Sequence, residues 1–236
     1  MMIPFICILG AAAFGQCLTG FGFGIFAIAF LPMIMPFKKA VAILALLSVA
    51  VNFQLGIRVA KYVRWKLLIP VVLCSFLAQT AGTKVLFSVN EKVLSKALGV
   101  VLIGLAIFFA FFRERISIMG SAKNGIIAGL IGGFLNTFNV GGPPIVLYYL
   151  KACKDNTEYL ATVQATFLIT SLYNFILHLL WGNVTAEVWK YSAIGLIVVV
   201  PVIFLGFRVF KKISQKMLNW FVYGMIGIMG VVQLVG

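Results

Sequence analysis

"FLNTFNVGGPPIVLYYL", residues 134–150, decides how this chain is read. It lies in an apolar run long enough to cross a bilayer, yet two asparagines, two glycines and two prolines sit inside it. A helix meant only to anchor would not carry Gly141-Gly142-Pro143-Pro144 at its centre. Proline fits the first turn of a helix, where its missing N–H costs nothing and its fixed φ helps. Glycine permits a tight turn and close approach of backbone to a ligand. The stretch is therefore expected to be two short helices, with the second beginning at the prolines.

The surroundings are equally apolar. Of 236 residues, 63% are hydrophobic and only 10% charged, and the mean hydropathy is +1.12. Soluble domains are nearer half apolar and a quarter charged, so the class expected is an all-α polytopic membrane protein. The net charge of +14 is spread in short clusters between apolar runs, as membrane-flanking charge is. No basic stripe or base-stacking platform accompanies it, so nucleic acid is not an expected partner. Cys7, Cys17, Cys74 and Cys153 show no CxxC spacing and read as packing residues rather than metal or redox groups. No cofactor is expected. The start, "MMIPFICILG", lacks a basic n-region and reads as the first membrane segment.

Apolar runs occupy 2–35, 40–57, 67–87, 93–112, 124–150, 160–181, 191–207 and 217–235. One crossing needs about 20 residues. The first and fifth runs exceed this, and both are broken by glycine-rich stretches. The chain also matches itself. Gln16, Thr19, Gly22 and Ile25 face Asn136, Asn139, Gly142 and Ile145 at a spacing of 120. Ser48 and Asn52 face Thr170 and Asn174 at 122; Trp65, Lys66, Gly82, Lys84, Lys92 and Leu94 face Trp189, Lys190, Gly206, Arg208, Lys216 and Leu218 at 124. Two homologous halves are expected, 1–120 and 121–236.

Their relative orientation depends on the long runs. If these cross fully, the halves are parallel and the nineteen basic residues divide eleven to eight. If each is a re-entrant hairpin followed by three transmembrane helices, the halves are inverted and thirteen fall on one face against six on the other. Cytoplasmic loops are enriched in Lys and Arg, which favours the inverted repeat with both termini outside.

Broken helices at membrane depth serve binding: a half-helix N-terminus aims free N–H groups and the positive dipole end at an anion. The second break offers Gly141, Gly142 and Pro143, and "TGFGFG" (19–24) offers Gly20, Gly22 and Gly24. Gln16, Thr19, Asn136, Thr137 and Asn139 could add side-chain donors. The competing reading is close helix packing and interhelical hydrogen bonding. Gln164, Ser171, Asn174 and His178 share one helical face, matched by Ser48 and Asn52 in the first half. Such a face lines a path or ties helices together. His178, the only histidine, could pass protons, although snorkelling or capping near Trp181 is the blander role. Lys84 and Arg208 guide anions to the mouths or simply snorkel.

All five acids, Glu91, Glu114, Asp155, Glu158 and Glu187, lie at segment ends, so no mid-span carboxylate is present for a proton or sodium relay. An anion leaving a negative interior gains about 2.3 kcal/mol per charge per 100 mV, so export needs no coupling ion. No HExxH or GxSxG motif and no pair of mid-membrane aspartates indicates an enzyme.

"GQCLTGFGFG" (15–24) and "NTFNVGGPPI" (136–145) resemble the duplicated motifs of the sulfite exporter TauE/SafE family, and "AGTKVLFSVNEKVLSKALGVVLIGL" (81–105) resembles its third segment and following helix. The resemblance covers nearly the whole chain. It implies transport of sulfite, thiosulfate or organosulfonates across a prokaryotic plasma membrane. Where a GxGGGP run is usual, this chain has Asn139-Val140-Gly141-Gly142-Pro143-Pro144, which puts the favoured anion in question. The expected function is an alternating-access carrier of small sulfur anions in the lipid bilayer; a passive anion channel is the alternative.

Overall fold

Gly20 and Gly22 adopt φ of 79° and 105°, a left-handed backbone that side chains disfavour, and they end the first helix of the chain. A computed structural model describes residues 2–107, 121–209 and 231. Among these, α1 (Met2–Thr19) stops at the glycines and α2 (Phe23–Phe30) begins after them, followed by a 3-10 turn at Leu31–Met33. Then come α3 (Phe37–Gly56), α4 (Trp65–Ser88), α5 (Glu91–Ile107), α6 (Ala122–Asn136), α7 (Gly142–Ala152), α8 (Asn156–Leu180) and α9 (Ala186–Val209). Both long runs are interrupted where the sequence predicts. The predicted span 217–235 apart from Val231, the end of the fourth run at 108–112, Glu114 and the side chain of Arg208 lie outside the described residues.

Among the described residues, four helices are long and apolar enough to cross a membrane: α3, α4, α8 and the Ala186–Leu205 part of α9. Helix α4 shows how they are built. Ile69, Leu73, Leu77 and Val85 are exposed, while Ser75, Gln79 and Thr83 are fully buried. An apolar exterior over a polar interior is the arrangement a lipid solvent requires, since polar groups must find partners within the protein.

The interrupted helices fold back on themselves. A Cβ on Gly132 would meet Ile145, and one on Gly125 would lie 2.9 Å from the Tyr148 ring, so α6 and α7 run antiparallel along each other. A Cβ on Gly15 would contact Phe26 across the first break, placing α2 beside α1. Helix α6 packs on α4 through small residues: Cβ atoms on Gly129 and Gly133 would lie 2.5 Å from the backbone of Val71 and Ser75. Helix α1 packs on α9, and α3 packs on α8 at the centre.

The described acids hold loops and ends. Asp155 caps α8 through the N–H groups of Thr157 and Glu158 at 2.8 and 2.9 Å. Glu187 pairs with Lys39, Glu158 with Arg64, and Glu91 accepts from the Phe37 N–H.

Candidate anion site

The two breaks meet. A Cβ on Gly24, in the first turn of α2, would fall on the Asn139 carbonyl oxygen and 2.9 Å from the Asn139 Cβ, so only glycine lets these backbones touch. Beside this contact lies a cavity of about 30 Å3, lined by Gln16, Gly22, Gly24 and Ile25 of the first break and Asn136, Asn139 and Gly142 of the second. Ser48 and Asn52 of α3 and Phe167 and Ser171 of α8 complete it. One water needs about 10–15 Å3, so there is room for roughly two.

The lining carries no charged side chain. Its positive character comes from donors. Both α2 and α7 begin at the cavity, and the first N–H groups of a helix have no intrahelical acceptor. In α2 the Phe23 N–H is taken by Gln16 Oε1 at 2.7 Å, and the Phe26 N–H by the Gly22 carbonyl. The N–H groups of Gly24 and Ile25 have no backbone acceptor among the described residues. In α7, Pro143 and Pro144 have no N–H, so Gly142 provides the donor at that end.

Most predicted side-chain donors are committed elsewhere. The Thr19 hydroxyl bonds to the Gly15 carbonyl and to that of Phe21. Thr137 donates to the Gln79 carbonyl at 3.3 Å, Asn139 Nδ2 to the Val41 carbonyl at 3.1 Å, and Gln16 Nε2 to Asn52 Oδ1 at 2.9 Å. Asn136 is different. Its Nδ2 is buried with no partner among the described residues, and the residue lines the cavity. Asn52, whose oxygen accepts from Gln16, also lines the cavity.

Gly20, Thr137, Gly141 and Pro143 support the breaks without lining the cavity. The second break uses a different residue for its left-handed turn than the glycines suggest. Asn139 has φ of 60°, whereas Gly141 is at −75°. What requires glycine at 141 is space: a Cβ there would strike the Gly132 carbonyl and lie 2.6 Å from the Asn136 Cβ.

The polar face of α8 divides its roles. Ser171 lines the cavity, whereas Gln164 Nε2 donates to the Gly20 carbonyl at 2.6 Å and Asn174 Nδ2 to the Asn136 carbonyl at 3.1 Å. Those carbonyls lie at the negative ends of α1 and α6, which would repel an anion; the two amides neutralise them. His178 does not snorkel. It is fully buried and lies against Asn183, whose Nδ2 is 2.9 Å from His178 Nδ1, at the last turn of α8. Lys84 is exposed near the end of α4, away from the cavity lining.

Two wall residues were not singled out from sequence as site residues. Phe167 lies between Gln164 and Ser171 at helical spacing, so the face held the signal. Ile25 stood among the residues matched between halves.

A probable membrane transporter protein of Methanocaldococcus jannaschii is 25% identical over 186 residues, covering 74% of this chain and 70% of that protein. No solved structure is a significant match. The interrupted helices, the apolar exterior and the donor-lined cavity suit a membrane transporter. The sulfite exporter TauE/SafE family matches residues 5–232, and the chain belongs to that family.

Proposed function

We propose that this protein is an alternating-access carrier of small sulfur-containing anions, sulfite, thiosulfate or an organosulfonate, held between the two helix breaks near the membrane midplane. The observation that carries the reading is the cavity shared by both breaks, where the starts of α2 and α7 meet beside the unpaired Asn136 amide with no carboxylate in the lining. Neutral donors favour an anion that must also leave, because binding remains weaker than to a fixed cation. With room for roughly two waters, the site admits an anion by movement of the hairpins.

Inverted repeats 1–120 and 121–236 supply the two gates. Supporting this, Gln16 bonds to Asn52 and Asn174 to Asn136, while Cys17 approaches the Ile203 carbonyl and Thr137 that of Gln79. These contacts pair off at the spacings 120, 122 and 124 that match the sequence halves. The protein resides in the plasma membrane of a prokaryote with both termini outside, as the distribution of Lys and Arg favours.

The test is flux into proteoliposomes of sulfite, thiosulfate, sulfate, sulfoacetate and chloride, read both as current and with isotope. Saturable flux of one sulfur anion, reduced in Asn136→Ala, supports the carrier. Large unsaturable currents indicate a channel. Absence of flux for all five by both readouts refutes the substrate class.

A further inference from the structure

Helix α4 carries two buried polar side chains that the anion cavity does not use. Gln79 and Thr83 are each fully buried, and neither amide atom of Gln79 nor the Thr83 hydroxyl has a partner among the described residues. They are not isolated. Six of the eight such atoms belong to Asn136, Gln79, Asn174, Thr83 and His178. Native interiors leave few polar atoms unpaired, and a run of them calls for an explanation.

Contacts place these five residues in order. Thr137, next to Asn136, bonds to the Gln79 backbone, and Asn174 bonds to the Asn136 backbone, which brings Asn136, Gln79 and Asn174 to one level. From there α4 and α8 rise together: Thr80 meets Tyr173 at 2.7 Å, and Phe87 lies against His178 and Trp181 at ring separations of 5.9 and 4.9 Å. Thr83 therefore lies between the levels of Tyr173 and His178. The column starts at Asn136 in the cavity wall and ends at His178.

The chemistry along it is mixed. Asn183 Nδ2 donates to the Lys38 carbonyl at 2.8 Å, which fixes the orientation of that amide, so it also donates to His178 Nδ1. The proton of the neutral ring then lies on Nε2, the unpaired atom. Asn136 Nδ2, Gln79 Nε2, Thr83 and His178 Nε2 are donors; Gln79 Oε1 and Asn174 Oδ1 are acceptors. Water uses both, and a buried water typically makes about three such bonds. On the other half, the spacing of 124 puts Ile203 and Phe207 at the positions of Gln79 and Thr83, so the pattern is not demanded by repeated packing.

We propose that Asn136, Gln79, Asn174, Thr83 and His178 line a passage between α4, α6 and α8, which opens to water, leads from the anion cavity to the His178 end of α8 and carries the hydrated anion on that side. It is closed in this conformation, because Gln79, Asn174, Thr83 and His178 leave no water-sized space. The passage rests on the proposed carrier reading for its cargo, but not for its hydration.

Hydration is tested first, without any substrate. Single cysteines are placed at Thr83, Ile203 and Lys84 after replacement of the four native ones, and membranes are treated with the small anionic 2-sulfonatoethyl methanethiosulfonate. Thr83→Cys is expected to react at least tenfold faster than the buried Ile203→Cys. An inert Thr83→Cys, where the exposed Lys84→Cys reacts, overturns the passage. In proteoliposomes, Thr83→Val is expected to slow anion flux about tenfold with an unchanged half-saturating concentration, and Thr83→Ser to retain the rate. A Thr83→Val protein that melts higher and transports at the wild-type rate marks a dry orphan hydroxyl and refutes the proposal. If the wild type carries no tested anion while Thr83→Cys reacts, the passage stands and the substrate reading fails.

Discussion

Gly24→Ala tests whether the two breaks form one site. The added methyl carbon would lie 2.9 Å from the Asn139 Cβ and closer still to the Asn139 carbonyl oxygen. Carbon atoms prefer about 3.5 Å or more, so the breaks must separate by roughly 0.6 Å at least. Backbone lies on both sides of the contact, and no flexible side chain can move aside. Overpacking of this kind costs about 1–3 kcal/mol. For a chain of this size each kcal/mol shifts the melting midpoint by about 2–4 °C, so a fall of roughly 2–12 °C is expected. The same shift moves the Gly24 and Gly142 donors apart and should weaken anion binding. Two controls separate space from backbone strain. Gly104→Ala, with nothing within 4 Å and no positive φ, should be neutral or stabilising. Gly22→Ala, also in open space but at φ 105°, isolates strain, costing about 1–2 kcal/mol. The assays are thermal melting in detergent and anion flux in proteoliposomes. A Gly24→Ala protein that melts with Gly104→Ala and transports normally would refute the meeting of the breaks.

Asn136→Ala removes the unpaired amide of a cavity-lining residue; a hydrogen bond to a charged group is worth about 1.5–3 kcal/mol, so anion affinity should fall roughly 10- to 150-fold in a binding titration. Gln164→Leu leaves the Gly20 carbonyl without its donor and should destabilise by about 1–3 kcal/mol, read by thermal melting. Replacement of Asn139 by glycine keeps the left-handed turn but loses the bond to Val41, whereas Asn139→Ala loses both, so the alanine protein should melt lower than the glycine protein. Labelling of single cysteines at each terminus should succeed from outside intact cells; labelling only after permeabilisation would contradict the proposed orientation.

The interruptions of both long runs were legible from glycine and proline, because those residues act on the backbone where they stand. The helix start at Gly142-Pro143 follows from proline's fixed φ. The left-handed residue of the second break was not legible: glycine is the more permissive residue, yet Asn139 takes the positive φ, where its amide reaches the Val41 carbonyl, while Gly141 is fixed by close contact with Gly132 and Asn136. Which side-chain donors stay free was least legible. Thr19, Thr137, Asn139 and Gln16 carry the right groups, but a side chain bonds to whatever acceptor lies nearest, and here those acceptors are backbone carbonyls and Asn52. Gln79 and Thr83 are visible as polar residues in an apolar helix, yet only their burial without partners makes them notable.

Sequence alone determined the membrane class, the interruption of the two long runs, the internal matches and the family resemblance, since hydropathy, backbone preference and motif spacing are local or linear properties. Tertiary structure decided which donors remain free at the cavity, that Gly24 touches Asn139, and that His178 is buried. Those outcomes depend on distances between residues far apart in sequence, such as Gly24 and Asn139 or Asn139 and Val41, and a hydrogen bond or a steric contact exists only once the packing of the helices sets them.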